Sequence, residues 1–314
     1  MNARPPVLWL DGAVVPWADG TVHLWSEVAT RGTNVFEGIR VYEHADGSLH
    51  MLCLAEHMAR LEASCRLLRL PSPVHTDELT SGMMELLQHF RGVGSLYVRP
   101  TIYLVEGRYA ENLADCQAGS YVVAVPVAQS AHIETGIGCL VSRYHKAPDL
   151  TLSPLIKTGS AYGMYRLPML EARDAGLQDA ILLNSRDEVA EATGASVFAV
   201  KDGAITTPPL SAGILDSITR RNLIMLARDD LGLQVGEAAM TPSMLMQADE
   251  VFFAGTLAEV VPVVRLGTSI VGTGESGPVT RAVHRHYLDV CEGRRPDARG
   301  WLTAVVGGRG NEAR

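Results

Sequence analysis

The chain has 314 residues, 47% of them apolar, which is enough for two domains or one large one with a full core and no covalent staples. Its formal net charge of -8 is spread along the sequence with no basic tract, so neither nucleic acid nor an anionic membrane surface is expected as a partner. Five cysteines (Cys53, Cys65, Cys116, Cys139, Cys291) lack Cys-x-x-Cys spacing, and neither a leader pattern nor an apolar run of about 18 residues occurs; a cytoplasmic protein with reduced thiols and no metal site is expected.

Taken in order, residues 35–42 and 49–54 flank the turn signal His44-Ala45-Asp46-Gly47-Ser48 and predict a hairpin. Residues 55–70 follow as a helix with Met58, Leu61, Cys65 and Leu68 on one face and Arg60 off that stripe. A second helix over 76–90 precedes a strand at 96–105 and a short buried strand at 120–126, where a first domain, residues 1–126, ends. Residues 127–136 lose the apolar periodicity and read as an interdomain connection, leaving 137–314 as the second domain. There, strands are expected at 179–183 and 197–200, with a tight hairpin at 201–204. Helices are expected at 160–175, 217–231, 242–246 and 278–292, and Pro168 should kink the first of them.

The chemistry gathers between residues 154 and 219. Lys157 lies beside a glycine turn in Leu155-Ile156-Lys157-Thr158-Gly159-Ser160-Ala161-Tyr162, Glu191 supplies an anion in Val189-Ala190-Glu191-Ala192-Thr193-Gly194, and Ile218 and Thr219 open a helix. A lysine amine condenses with an aldehyde to a Schiff base, a carboxylate keeps a pyridine nitrogen protonated, and free amides at a helix start bind phosphate. That order suits a pyridoxal 5'-phosphate enzyme. On the strand at 96–105, alternation places Tyr97, Arg99, Thr101 and Tyr103 on one face, a polar face suited to an anionic ligand.

Five ordered blocks carry a wider likeness: Arg31-Gly32-Thr33-Asn34-Val35-Phe36-Glu37-Gly38-Ile39-Arg40, Glu56-His57-Met58-Ala59-Arg60-Leu61, Tyr97-Val98-Arg99-Pro100, Gly255-Thr256-Leu257-Ala258-Glu259-Val260 and Gly277-Pro278-Val279-Thr280. With them the chain resembles the fold-type IV pyridoxal phosphate enzymes, most closely the branched-chain amino acid aminotransferases. The resemblance implies an α+β fold, a small α/β domain followed by a larger β-rich pseudo-barrel domain with the cofactor between them, and at least a homodimer. It makes Lys157 the catalytic amine and assigns Arg60, Ile218, Thr219 and Thr256 to the cofactor phosphate. By the same likeness Tyr162 takes the phenolic oxygen, Glu191 the ring nitrogen and Leu215 the ring face. Tyr97 and Arg99, with the Thr256-Leu257 amides, would hold the substrate carboxylate, while Phe36 and Gly38 would line the side-chain pocket.

The implied activity is transfer of an amino group between an L-amino acid and a 2-oxo acid such as 2-oxoglutarate. Two alternatives stand beside it: a lyase of the aminodeoxychorismate type using the same lysine, and an inactive cofactor-binding paralogue with a regulatory role. Tyr97-x-Arg99 and Gly255-Thr256-Leu257-Ala258-Glu259 favour the transaminase. Three departures bear on specificity, since Arg31, Val127 and Ser130 stand where the branched-chain enzymes commonly carry aromatic residues, and Gly194-Ala195-Ser196 replaces the usual Gly-Glu-Asn. A cation near a buried site needs an anionic or hydrogen-bonding partner. A larger, more polar pocket with Arg31 in its wall is therefore expected.

Overall fold

A computed structural model describes residues 4–70, 76–106 and 116–305. The chain divides into two compact units. The first comprises Met1–Ala128, Ile156–Ser160 and Cys291–Arg314, and the second Gln129–Leu155 with Ala161–Val290. Two segments that sequence alone groups with the second domain, the one bearing Lys157 and the C-terminal one, thus associate with the first. Backbone pairing is the reason: Val35 bridges Thr158 antiparallel, and Leu302–Ala304 pairs with a strand of the first unit.

In the first unit, β1 (Val7–Leu10) and β2 (Ala13–Pro16) form a hairpin, and the short helix α1 (Glu27–Arg31) leads into β3 (Asn34–Phe36). β4 (Ile39–Glu43) and β5 (Leu49–Leu52) form the expected hairpin; α2 (Leu54–Leu67) and α3 (Thr76–Leu87) follow, then β6 (Leu96–Glu106) and β7 (Gln117–Pro126). The antiparallel sheet runs C-terminal strand, β5, β4, β6, β7, β1, β2, with β3 also paired to β6. α2 ends at Leu67 rather than at residue 70, and buries Leu54, Met58, Leu61 and Cys65 against the sheet. Alternation along β6 is as expected: Leu96, Val98 and Ile102 lie in the core, which leaves Tyr97, Arg99, Thr101 and Tyr103 for the other face. Each such buried aliphatic contributes about 1.5–3 kcal/mol, which fixes the register of that polar face.

In the second unit the connection at 127–136 carries a short helix, α4 (His132–Thr135). Beyond it come β8 (Ile137–His145), α5 (Gly159–Met164), α6 (Arg166–Asp174), β9 (Asp179–Leu183), β10 (Val189–Ala192), β11 (Ser196–Lys201) and β12 (Ala204–Thr207). α7 (Ile218–Met225), β13 (Val235–Glu237), α8 (Pro242–Met246), β14 (Glu250–Gly255), β15 (Glu259–Leu266), β16 (Ser269–Ile270) and α9 (Pro278–Cys291) complete it. The sheet runs β10, β9, β8, β15, β14, β11, β12, β13, and β10 also pairs with β11, so six strands close on themselves. The closing pair is Glu191 opposite Ser196, and Ile181, Val197, Phe253 and Val261 fill the interior.

The expected helix at 160–175 is two helices, and the break falls at Tyr165, ahead of Pro168. Pro168 occupies the third position of α6, where a helix start leaves N–H groups unpaired, so the missing proton costs nothing. α7 is shorter than expected and runs into a five-residue π-helical turn, Leu226–Asp230.

Candidate active site

In the first unit the backbone around Lys157 is tied down on both sides. Its N–H donates to Ser64 Oγ at 3.2 Å, and its carbonyl accepts from Phe36 N–H at 3.0 Å. Gly159 N–H donates to Asn34 Oδ1, and a Cβ at Gly159 would come within 2.8 Å of that amide, so no larger residue fits the turn. Lys157 Nζ lies 4.9 Å from the centre of the Phe36 ring, and Arg99 Cζ 3.7 Å from the same centre. One aromatic ring therefore carries both the amine and a guanidinium. Arg99 Nε and Thr101 Oγ1, on the same face of β6, are buried with no hydrogen-bond partner among the described residues, which marks a place for an oxygen-bearing ligand. Gly38 makes room for Tyr97, since a Cβ there would lie 2.5 Å from the phenolic oxygen.

Behind that ring sits a charge cluster that sequence reading did not assemble. Glu37 is fully buried and accepts from Arg60 Nε (2.6 Å) and Nη2 (2.7 Å) and from His57 Nδ1 (2.6 Å). Burial alone would push the Glu37 carboxyl up, yet Arg60 and His57 overrule it and hold the group far below the ordinary carboxylate range. Burial pushes the His57 imidazole down, Glu37 offsets part of this, and Arg60 and Lys157 push it further down, so the neutral ring donates. Arg60 is accordingly fixed in direction rather than waving from α2. Glu37 and His57 lie in two separate blocks of the sequence, and no local pattern pairs them.

Both groups contribute stability that acid removes. The unfolded chain takes up a proton on each more readily than the folded chain, so the His57 part fades as the pH falls below its ordinary 6.5 and the Glu37 part as it falls below its ordinary 4.5. Glu37→Gln should cost about 3–5 kcal/mol in urea denaturation, because it strands a buried guanidinium. The same variant should flatten the acid limb of the stability curve. An unchanged midpoint would show that the cluster does not hold the unit together.

In the second unit, Glu191 is buried on β10 at the point where the barrel closes. Its Oε2 accepts the Leu215 N–H at 3.0 Å, and its Oε1 accepts from the Tyr165 hydroxyl at 3.3 Å and from Lys146 Nζ. Neither Lys146 nor Tyr165 was singled out in the sequence; the chain has three lysines, Lys146, Lys157 and Lys201, and that scarcity was the available clue. Tyr162 is 38% exposed and meets Tyr165 edge-on at 5.6 Å. Ser217 caps α7 by accepting from Arg220 N–H, which places buried Ile218 and Thr219 in its first turn. Thr256 and Leu257 form the turn between β14 and β15, closed by Gly255 opposite Glu259, and this turn packs against Gly194 and Ala195.

The residues at the specificity positions are placed individually. Arg31 ends α1, exposed, and donates to Thr30 Oγ1. The Val127 carbonyl accepts from Arg40 Nη2 at 3.3 Å, and Ser130 Oγ accepts from His132 N–H at 3.2 Å.

A family model for class IV amino-transferases matches residues 34–266, which takes in every candidate site residue except Arg31. The chain belongs to the class IV amino-transferases. The branched-chain-amino-acid aminotransferase of Escherichia coli K12 is 34% identical over 302 residues, 95% of this chain and 97% of that one. Among solved structures, the branched-chain amino acid aminotransferase of Thermobaculum terrenum in its PLP form superposes with a TM-score of 0.90 at 33% identity, covering 96% of this chain and 99% of that one. The branched-chain aminotransferase of the archaeon Thermoproteus uzoniensis, solved with norvaline, has a TM-score of 0.89 at 31% identity, over 96% and 99% of the two chains. Likeness at this level over nearly whole chains bears on chemistry as well as fold.

Proposed function

We propose that the protein is a pyridoxal phosphate-dependent transaminase that moves an amino group between an L-amino acid of the branched-chain kind and a 2-oxo acid such as 2-oxoglutarate. The observation that carries this reading is the Lys157 amine and the Arg99 guanidinium held on one Phe36 ring, with Arg99 Nε buried and without a hydrogen-bond partner among the described residues. An amine to accept a proton and a cation to take a carboxylate are what an amino-acid substrate requires.

The donor set fits the cofactor. A buried carboxylate fixed by a backbone amide suits a ring N–H, and a guanidinium locked by a second carboxylate suits a phosphate. The cofactor, when bound, supplies an aldehyde for the amine and a ring that takes up the electron pair left when the α-proton departs. Lys157 Nζ removes that proton and returns it. Glu191 holds a proton on the ring nitrogen, Tyr162 donates to the phenolic oxygen and Leu215 packs on the ring face. By the family likeness, Arg60, the first-turn amides of Ile218 and Thr219, and the Thr256 hydroxyl would hold the phosphate. By the same likeness, Tyr97 and Arg99, aided by the Thr256-Leu257 amides, would orient the substrate carboxylate, while Phe36 and Gly38 would bound its side chain.

The reading includes a homodimer, supported by Leu24 and Trp25, which are 88% and 84% exposed in the single chain, and a cytoplasmic setting, supported by five free thiols. No helix among the described residues is long and apolar enough to cross a membrane. A panel of 2-oxo acids offered to the pyridoxamine phosphate form tests the activity. Return of the cofactor to its aldehyde form with at least one aliphatic 2-oxo acid and with 2-oxoglutarate is expected, and no response to any of them would overturn it.

Specificity should depart from that of the branched-chain enzymes. With Arg31, Val127 and Ser130 where aromatic walls are usual, the enzyme should accept 2-oxoisocaproate yet turn over a larger or polar-tailed 2-oxo acid better. Arg31→Tyr should narrow that difference in kcat/KM. A clear preference for 2-oxoisocaproate that the substitution leaves unchanged would refute the polar pocket.

A further inference from the structure

Each of the three lysines has a distinct setting. Lys201 sits exposed in the β11–β12 hairpin and pairs with Asp249, and Lys157 faces the Phe36 ring. Lys146, immediately after β8, is buried, and its backbone N–H is fixed to the Leu183 carbonyl at 2.8 Å. Its ammonium forms an ion pair with Glu191 in which both side chains are more than nine-tenths buried, at 7% and 9% exposure. The other groups facing Glu191 are the Tyr165 hydroxyl, with Tyr162 edge-on behind it, and the Leu215 amide. Both of those donors are neutral, and burial pushes the Tyr165 phenol up, so it keeps its proton. Among the described residues, Lys146 is therefore the positive charge paired with Glu191 within its own unit.

That matters because a carboxylate in a dry site has an alternative to staying charged, which is to take a proton from whatever faces it. Facing a protonated ring nitrogen, a strongly basic Glu191 would pull the proton across, and two neutral groups would replace the pair. An adjacent ammonium weakens the carboxylate as a base and leaves the proton on nitrogen. We propose that Lys146 is a positioning residue that keeps Glu191 ionised and aimed, and so acts on the reaction only through Glu191. The catalytic consequence rests on the functional reading above; the state of the carboxyl does not.

Two measurements test it. In the full chain labelled with carboxyl-13C glutamate, with Glu191 identified by the signal lost in Glu191→Gln, the carboxyl should titrate at least about one pH unit higher in Lys146→Met than in the wild type, and Lys146→Arg should restore it. An identical titration in wild type and Lys146→Met would overturn the proposal, whether or not the protein is a transaminase. The second measurement is kinetic, and compares Lys146→Met, Glu191→Gln and the double variant. Lys146→Met should lower kcat at least about tenfold with KM changed less than about twofold, and should add less than about twofold to the loss already caused by Glu191→Gln. The double variant replaces a buried ion pair by neutral groups, so it stays folded even where Lys146→Met strands a charge. A further tenfold loss in the double variant would show that Lys146 acts apart from Glu191 and would overturn the proposal.

Discussion

Lys157→Ala should abolish transamination, with at least about a ten-thousandfold loss in kcat/KM, because in the proposed function the residue is both the covalent anchor and the proton carrier. The protein should remain folded. Lys157 is held by its backbone, through Ser64 Oγ and the Phe36 N–H, and those bonds survive loss of the side chain. Borohydride reduction followed by peptide mapping gives a direct check, since three lysines leave three possible labelled peptides. The label belongs on Lys157: Lys201 is tied to Asp249, and Lys146 is tied to Glu191. A label on Lys146 would move the catalytic amine to the barrel and refute the assignment.

Glu191→Gln should produce the second largest effect, at least about a hundredfold in kcat, or about 3 kcal/mol in barrier height. The neutral amide can still accept the Leu215 N–H, so the loop should hold its shape and the cofactor should still bind. What goes is the negative charge that, in the proposed function, keeps a proton on the ring nitrogen. The substitution also leaves the Lys146 ammonium buried without its counter-ion, which should lower the thermal midpoint measurably. Turnover near the wild-type rate would show that another group protonates the ring.

The hairpin at β4–β5, the polar face of β6 and the helix start at Ile218 were readable from the chain, because each is written in local periodicity or local turn chemistry. The placement of Lys157 was not, since its partners Ser64 and Phe36 lie about ninety and a hundred and twenty residues away and no local pattern encodes that pairing. Arg60 shows the same divide. Its spacing on α2 puts it off the apolar stripe and suggests an outward side chain, yet Glu37 draws it in. Glu191 could be picked out as an anion, whereas its partners Lys146 and Tyr165 come from elements brought together only when β10 closes on β11.

The composition of the first unit from three separate stretches of chain has a consequence for biosynthesis. A ribosome delivers the chain from its N-terminus, so the α/β sheet emerges first, with the edge at β5 still open. The Lys157 segment can dock on β3 once about thirty further residues have left the exit tunnel, but β5 waits for Leu302–Ala304, and the Cys53 N–H waits for the Trp301 carbonyl. Apart from residues 129–155, which carry β8, the barrel unit is synthesised in that interval. Leu302–Ala304, made after the barrel, therefore closes a sheet made before it, and a message cut short ahead of that strand releases a protein whose β5 edge is unfinished, a template for pairing with other chains.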